Sequence, residues 1–145
     1  MTCREVMTPD PVCCLPAETA VRIAKLMKTE NIGSVPICDD RHNKKLLGIV
    51  TDRDLAIKVI GEGKDPKTTK AEDVMTRAPV ACRGEDDLQR ALASMEMNQV
   101  RRIPVIDGNL ELIGIIAQAD VATRGGQPDM TAEVVQEISR PRIHA

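Results

Sequence analysis

Val6-Met7-Thr8-Pro9-Asp10-Pro11-Val12 returns 68 positions later as Val74-Met75-Thr76-Arg77-Ala78-Pro79-Val80. The same offset carries Val35-Pro36-Ile37 onto Ile103-Pro104-Val105. Gly48-Ile49-Val50 returns as Gly114-Ile115-Ile116, where the offset falls to 66. The lost residues lie in a polar turn, because Asp39-Asp40-Arg41-His42-Asn43-Lys44-Lys45 is longer than Asp107-Gly108-Asn109-Leu110-Glu111. A length change at a hairpin tip is what a repeated structural unit tolerates.

Working outward, Ala20, Ile23, Ala24 and Met27 stand at i, i+3, i+4 and i+7, as do Leu88, Ala91, Leu92 and Met95. Each set predicts one apolar helical face. A short β-branched run follows each helix, then a polar turn and a second apolar run, the pattern of a hairpin. A second helix is expected near 52–60 and again over 119–124. The chain therefore reads as an α+β fold (an α/β sandwich) of two β–α–β–β–α units related by a pseudo-twofold axis. The units span 1–60 and 71–124, with a Gly- and Pro-containing linker at 61–70. The tail, 125–145, carries a further short helix over 130–139. Thr2 is placed to cap a helical turn at the first unit's entry, and Thr68 or Thr69 at the second's. A unit of about 60 residues buries too little surface to be stable alone. Two copies packed sheet to sheet share a core and create two related clefts.

Composition narrows the function. The 145 residues carry 20 Lys and Arg against 22 Asp and Glu, a net charge of −2. Basic residues are spread along the chain, which argues against a nucleic-acid surface. The N-terminus lacks the apolar run of a secretory signal. No stretch approaches the roughly 18 apolar residues of a membrane span. A cytoplasmic protein is the expectation. The five cysteines include no Cys-x-x-Cys spacing, so no zinc ribbon or thioredoxin-type motif is expected. Phe, Tyr and Trp are absent. A bound purine would lie between aliphatic side chains rather than on an aromatic face.

Gly48-Ile49-Val50-Thr51-Asp52-Arg53-Asp54 carries the functional expectation. A strand ends and a helix begins at Thr51, with Asp54 three residues on. That spacing is close to a capping box. The same geometry suits a ribose-phosphate, because a helix N-terminus offers free N–H groups to an anion. Thr51 would donate to phosphate and Asp54 accept from ribose hydroxyls, while Val12 and the strand through Val35 and Ile37 bury the purine.

The doubled pattern V-M-T-x-x-P-V, then I-G-S-V-P-I and G-I-V-T-D-R-D, resembles the cystathionine-β-synthase (CBS) domain family. It covers nearly the whole chain as a stand-alone tandem pair, a Bateman module, similar to small bacterial pairs of the hypoxic-response type. The resemblance implies a homodimer, often disc-shaped, and an adenosine-containing ligand between the repeats: AMP, ADP, ATP, S-adenosylmethionine or NAD. It assigns phosphate to Thr51 and ribose to Asp54. In the second copy Asp120 keeps the acid, but Ala117 replaces the hydroxyl, so that cleft is expected to bind nucleotide poorly. Arg101 and Arg102 stand where the first copy has Gly33 and Ser34. They read either as phosphate ligands completing one composite site with Thr51 and Asp54, or as a solvated or interface pair.

No catalytic constellation emerges. His42 and His144 have no partner suggesting catalysis or metal, Ser34 has no base nearby in sequence, and no Gly-rich phosphate loop is present. The expectation is a non-enzymatic regulatory module with no required cofactor, its nucleotide biasing contact with an unidentified protein partner in trans. The alternative is a structural or stress-response dimer using the fold without nucleotide. Cys13 and Cys38 are a possible redox pair if the strands that carry them are neighbours. The second copy has Ala81 and Ile106 there, so packing of the unit does not require two thiols.

Overall fold

A computed structural model describes residues 1–118 and 121. In chain order the elements are α1 (Cys3–Val6), β1 (Thr8–Pro9), α2 (Ala20–Glu30), β2 (Ser34–Cys38), β3 (Leu46–Thr51) and α3 (Asp52–Asp54), which runs into a π-helical segment (Leu55–Ile60). Then follow α4 (Ala71–Val74), β4 (Thr76–Arg77), β5 (Cys82–Arg83), α5 (Leu88–Asn98), β6 (Arg102–Ile106) and β7 (Leu112–Ala117). The helices expected over 119–124 and 130–139 lie outside the described residues.

The chain forms two compact units, each an α+β layer of helix on sheet. One comprises Val12–Pro79 and Asn109–Leu112; the other comprises Met1–Pro11, Val80–Gly108 and the described residues from Ile113. The first holds the sheet β2-β3-β4 and the second the sheet β1-β7-β6-β5. Each unit thus takes its opening arm from the other sequence copy. β4 pairs antiparallel with β3, Gly48 opposite Arg77 and Ile49 opposite Thr76. β1 pairs with β7 in the same way, Thr8 opposite Ile115 and Pro9 opposite Gly114.

The repeated Met and Gly explain one another. A Cβ on Gly48 would stand 2.7 Å from Met75 Sδ and 2.7 Å from the Thr76 carbonyl oxygen. On Gly114 it would collide with Met7. Each glycine leaves room for the methionine of the arm that crosses it, and unbranched Met fills such a gap without strain.

Within the first unit, α2 is capped by Thr19, whose hydroxyl accepts from the Arg22 N–H at 3.3 Å. It ends at Asn31 in the left-handed conformation, as α5 ends at Gln99. Ala20, Ile23 and Met27 are buried, and Leu26 packs beside them. Ala24 is exposed, because the packing face turns toward the Leu26 flank. In α5 all four periodic residues are buried. The cores are built without aromatic rings, chiefly from Ile23, Val35, Ile37, Val50, Val59 and Val74 in one unit, and from Val6, Leu88, Leu92, Met95, Ile103 and Ile116 in the other.

Two local expectations change. Neither Thr68 nor Thr69 caps α4: Lys70 holds the cap position, and the Thr69 hydroxyl donates to the Asp65 carbonyl at 2.7 Å. The first N–H groups of α4 instead meet the carbonyls of Glu18 and Pro16, so no side-chain cap is needed. Thr2 does sit at the N-cap of α1, its N–H donating to the Glu5 carboxylate at 3.1 Å. The helix over 52–60 widens after one turn, with Gly61 N–H reaching the Ala56 carbonyl at 2.8 Å, an i→i−5 bond. A Cβ at Gly61 would lie 2.7 Å from the Ile57 carbonyl oxygen, so the wide turn closes on glycine.

Candidate functional site

The junction of β3 and α3 forms a closed capping box. Asp54 N–H donates to Thr51 Oγ1 at 3.0 Å, and Thr51 N–H donates to Asp54 Oδ2 at 2.9 Å. Asp54 Oδ1 pairs with Lys58 Nζ at 3.1 Å, one turn on, and the same ammonium donates to the Val74 carbonyl at 3.1 Å. The Asp54 side chain is only 13% exposed. This arrangement fixes the carboxylate in place. Its remaining lone pairs and the Thr51 hydroxyl hydrogen stay available for further bonds.

Across the β2–β3 ladder, Ser34 stands opposite Thr51. Its Oγ is buried and has no hydrogen-bond partner among the described residues. An unpartnered buried hydroxyl costs about 1–3 kcal/mol, so this atom is a ready donor beside Thr51. Sequence reading set Ser34 aside for want of a base. The register that puts two hydroxyls side by side depends on strand pairing, and the useful signal was Ser34 and Thr51 flanking the two hairpin strands. The Asp52 N–H donates to the Gly33 carbonyl at 2.9 Å, and a Cβ on Gly33 would approach Asp52 Oδ2 to 3.1 Å.

The other expected residues lie elsewhere. The Ile37 side chain is fully buried in the core of its unit. Val12 lines a separate pocket, described below. Arg101 is exposed and Arg102 half-buried, both in the other unit, and neither makes an ion pair among the described residues. The Gln118 N–H donates to the Arg101 carbonyl at 3.3 Å, the counterpart of Asp52 on Gly33. Asp120 lies outside the described residues.

That pocket, of about 330 Å³, is lined by Val12, Cys13, Cys14, Glu18, Arg22, Leu26, Arg41 and Lys44. Neither Thr51 nor Asp54 lines it. Cys14, one of its lining residues, bridges to β2: its N–H donates to the Pro36 carbonyl at 3.0 Å while the Cys38 N–H donates to the Cys14 carbonyl at 2.9 Å. The segment that carries Cys13 is thus not a strand, as the thiol pairing supposed, but an isolated bridge still sets it beside β2. The Cys14–Ile37 bridge brings Cys13 alongside Cys38, near enough for the two thiols to interact. That interaction, helped by Lys44 and Arg41, brings the Cys13 thiol down to about 7 against burial and Glu18. Cys38 is pushed up by the same interaction and by burial. Burial and the Glu18 charge push Cys14 up to about 12. Burial raises Glu18, but the Leu15 N–H, donating to its Oε2 at 2.6 Å, and the Arg41 ion pair outweigh it and hold the carboxyl low. A second thiol contact, Cys3 with Cys82, was not expected from sequence. Both its members are buried. It lowers Cys3 and raises Cys82.

Among the described residues no three His, Cys, Asp or Glu side chains converge to hold a metal ion. No described helix is long and apolar enough to cross a membrane.

Comparison with known proteins places this geometry. The family model for the CBS domain matches residues 3–61 and again 71–125. Hypoxic response protein 1 of Mycobacterium tuberculosis is 36% identical over 83% of this chain and 82% of its own length. Its crystal structure, with two coordinated zinc ions, superposes with a TM-score of 0.77 over 85% of this chain and 98% of that one. The CBS domain-containing protein YhcV of Bacillus subtilis is 31% identical over 97% of both chains. CBSX2, crystallised in complex with AMP, is 26% identical, with a TM-score of 0.75 over 88% of this chain and 98% of that one.

Proposed function

The chain belongs to the CBS-domain family as a tandem pair of such domains, and from that premise we propose that it is a non-catalytic regulatory module for an adenosine-containing ligand such as AMP. The observation that carries the reading is the β3–α3 junction. Thr51 and Ser34 present two hydroxyls side by side, one of them buried without a partner, and the capping box holds the Asp54 carboxylate one turn in. In this reading the hydroxyls take phosphate and Asp54 accepts from the ribose. CBSX2, related along 98% of its length, binds AMP, which supports the ligand class. The ligand shifts the balance between conformations with different affinity for a protein partner in trans, and the working assembly is a homodimer.

The absence of aromatic residues makes the test direct. A purified sample free of nucleic acid has almost no absorption of its own in the part of the ultraviolet where adenine absorbs, so carried-over adenine shows as a band. Thermal shift with AMP, ATP, NAD and S-adenosylmethionine then ranks the ligands. A ligand at 100 times its Kd stabilises by about 2.7 kcal/mol. Asp54→Ala removes most of the shift and Asp120→Ala little of it. Arg101→Ala and Arg102→Ala measure whether the basic pair adds phosphate affinity. No response to any of these ligands at roughly millimolar concentration refutes the proposal. It would favour a stress-response dimer without nucleotide, in which the Thr51–Asp54 capping box starts the helix and does nothing more.

A further inference from the structure

The pocket beside α2 has a chemistry the nucleotide reading does not use. Its cations are Arg22, Arg41 and Lys44, and its single anion, Glu18, pairs with Arg41 and lies 3.8 Å from Arg22 Nε. The surplus of positive charge faces a half-buried thiol, Cys13, which lies beside the fully buried Cys38. A β-bulge between Ile37 and Cys38 breaks the β2–β3 register at this point. Bulges re-aim side chains, and here the bulge falls at the thiol that meets Cys13.

We propose that this pocket receives a small anionic disulfide, which Cys13 attacks and Cys38 resolves, so that the chain acts as a thiol–disulfide exchange site independent of nucleotide binding. In the first step the Cys13 thiolate displaces one thiolate of the disulfide, giving a mixed disulfide on Cys13. In the second, Cys38 loses its proton and displaces the other thiolate, closing the Cys13–Cys38 bond. Two protein thiols and one disulfide become one protein disulfide and two free thiols, with no other oxidant. The order follows from position: Cys13 borders the pocket and Cys38 is sealed behind it.

The remaining thiols serve as internal controls. Cys14 also lines the pocket but is 1% exposed. With Cys13 at about 7 and Cys14 at about 12, the gain in thiolate outweighs the loss of intrinsic nucleophilicity, leaving Cys13 faster on the order of a hundredfold at neutral pH. Cys3 and Cys82 touch each other but line no part of the pocket.

The test incubates the fully reduced protein with oxidised glutathione, an anionic disulfide, or with cystamine, a cationic one, and follows intact mass and linked peptides. Glutathione is expected to link Cys13 to Cys38 faster than cystamine does, with the advantage lost at high salt. Cys38→Ser is expected to stop at glutathione on Cys13, and Cys13→Ser to leave all thiols unmodified. Equal rates with the two disulfides, linkage through Cys14 or Cys3–Cys82, or no linkage in the wild type would each overturn the proposal. The wild-type mapping needs no variant to fold, and adding AMP to the assay separates this site from the nucleotide site.

Discussion

Thr51→Ala separates the observed capping role of this hydroxyl at the β3–α3 junction from its proposed role toward phosphate. In the free protein the hydroxyl accepts the Asp54 N–H at 3.0 Å. Alanine leaves that helix-start donor without its cap, a loss of about 1 kcal/mol. For a chain of this length the melting temperature should fall by about 3–4 °C. In the proposed complex with AMP the same hydroxyl would donate to phosphate, and a hydrogen bond to a charged group is worth about 1.5–3 kcal/mol. Affinity should then weaken by about 10- to 100-fold. At an AMP concentration 100 times the wild-type Kd, the ligand-induced stabilisation should drop from about 2.7 kcal/mol to about 0.4–1.4 kcal/mol. Urea titration with and without AMP gives both quantities from one sample, and Thr51→Ser, which keeps both bonds, should track the wild type. An unchanged AMP increment in Thr51→Ala, beside the expected loss in the free protein, would show that Thr51 is a cap and nothing more.

Gly48→Ala should destabilise by about 1–3 kcal/mol through overpacking, because the Thr76 carbonyl, unlike the Met75 side chain, cannot swing away; a midpoint within error of wild type in urea would contradict the crossed-arm packing. Gly114→Ala should cost less in the other unit, because there the added Cβ meets only the Met7 side chain, which can shift. Stability should decline as pH rises above 9.0, where an unfolded Cys14 ionises while the folded one stays protonated to about 12. The unfolded state then binds fewer protons than the native one, so the slope is negative, up to about 1.4 kcal/mol per pH unit for that thiol. A flat profile through this window would remove the argument from burial. Ser34→Ala should leave the free protein as stable or slightly more so, since its buried hydroxyl has no partner to lose, yet weaken AMP binding in calorimetry. A clear loss of stability without ligand would mean that the hydroxyl already has a use.

The periodicity at 20–27 and 88–95, the hairpin turns, and the Thr51–Asp54 spacing were legible in sequence because each depends on residues within a turn or two of one another. The capping box is such a local object, and its two bonds formed as the spacing required. The approach of Cys13 to Cys38 was conceivable from sequence. Cys3 with Cys82 was not, because nothing local joins residues so far apart. The Ser34–Thr51 pair needed a strand register, and the α4 N-terminus found its acceptors at residues 16–18 rather than in its own threonines.

The sequence by itself determined that one unit occurs twice and where the copies differ: Thr51 against Ala117, and Gly33-Ser34 against Arg101-Arg102. Only the tertiary structure decided which copy serves which. Met7 and Met75 are equivalent in the repeat, as are Gly48 and Gly114, so any local rule satisfied by one pairing is satisfied by the other. The fold sets Met75 over Gly48 and Met7 over Gly114. A repeat encodes its contacts twice, and the choice between two chemically identical partners belongs to the path of the whole chain.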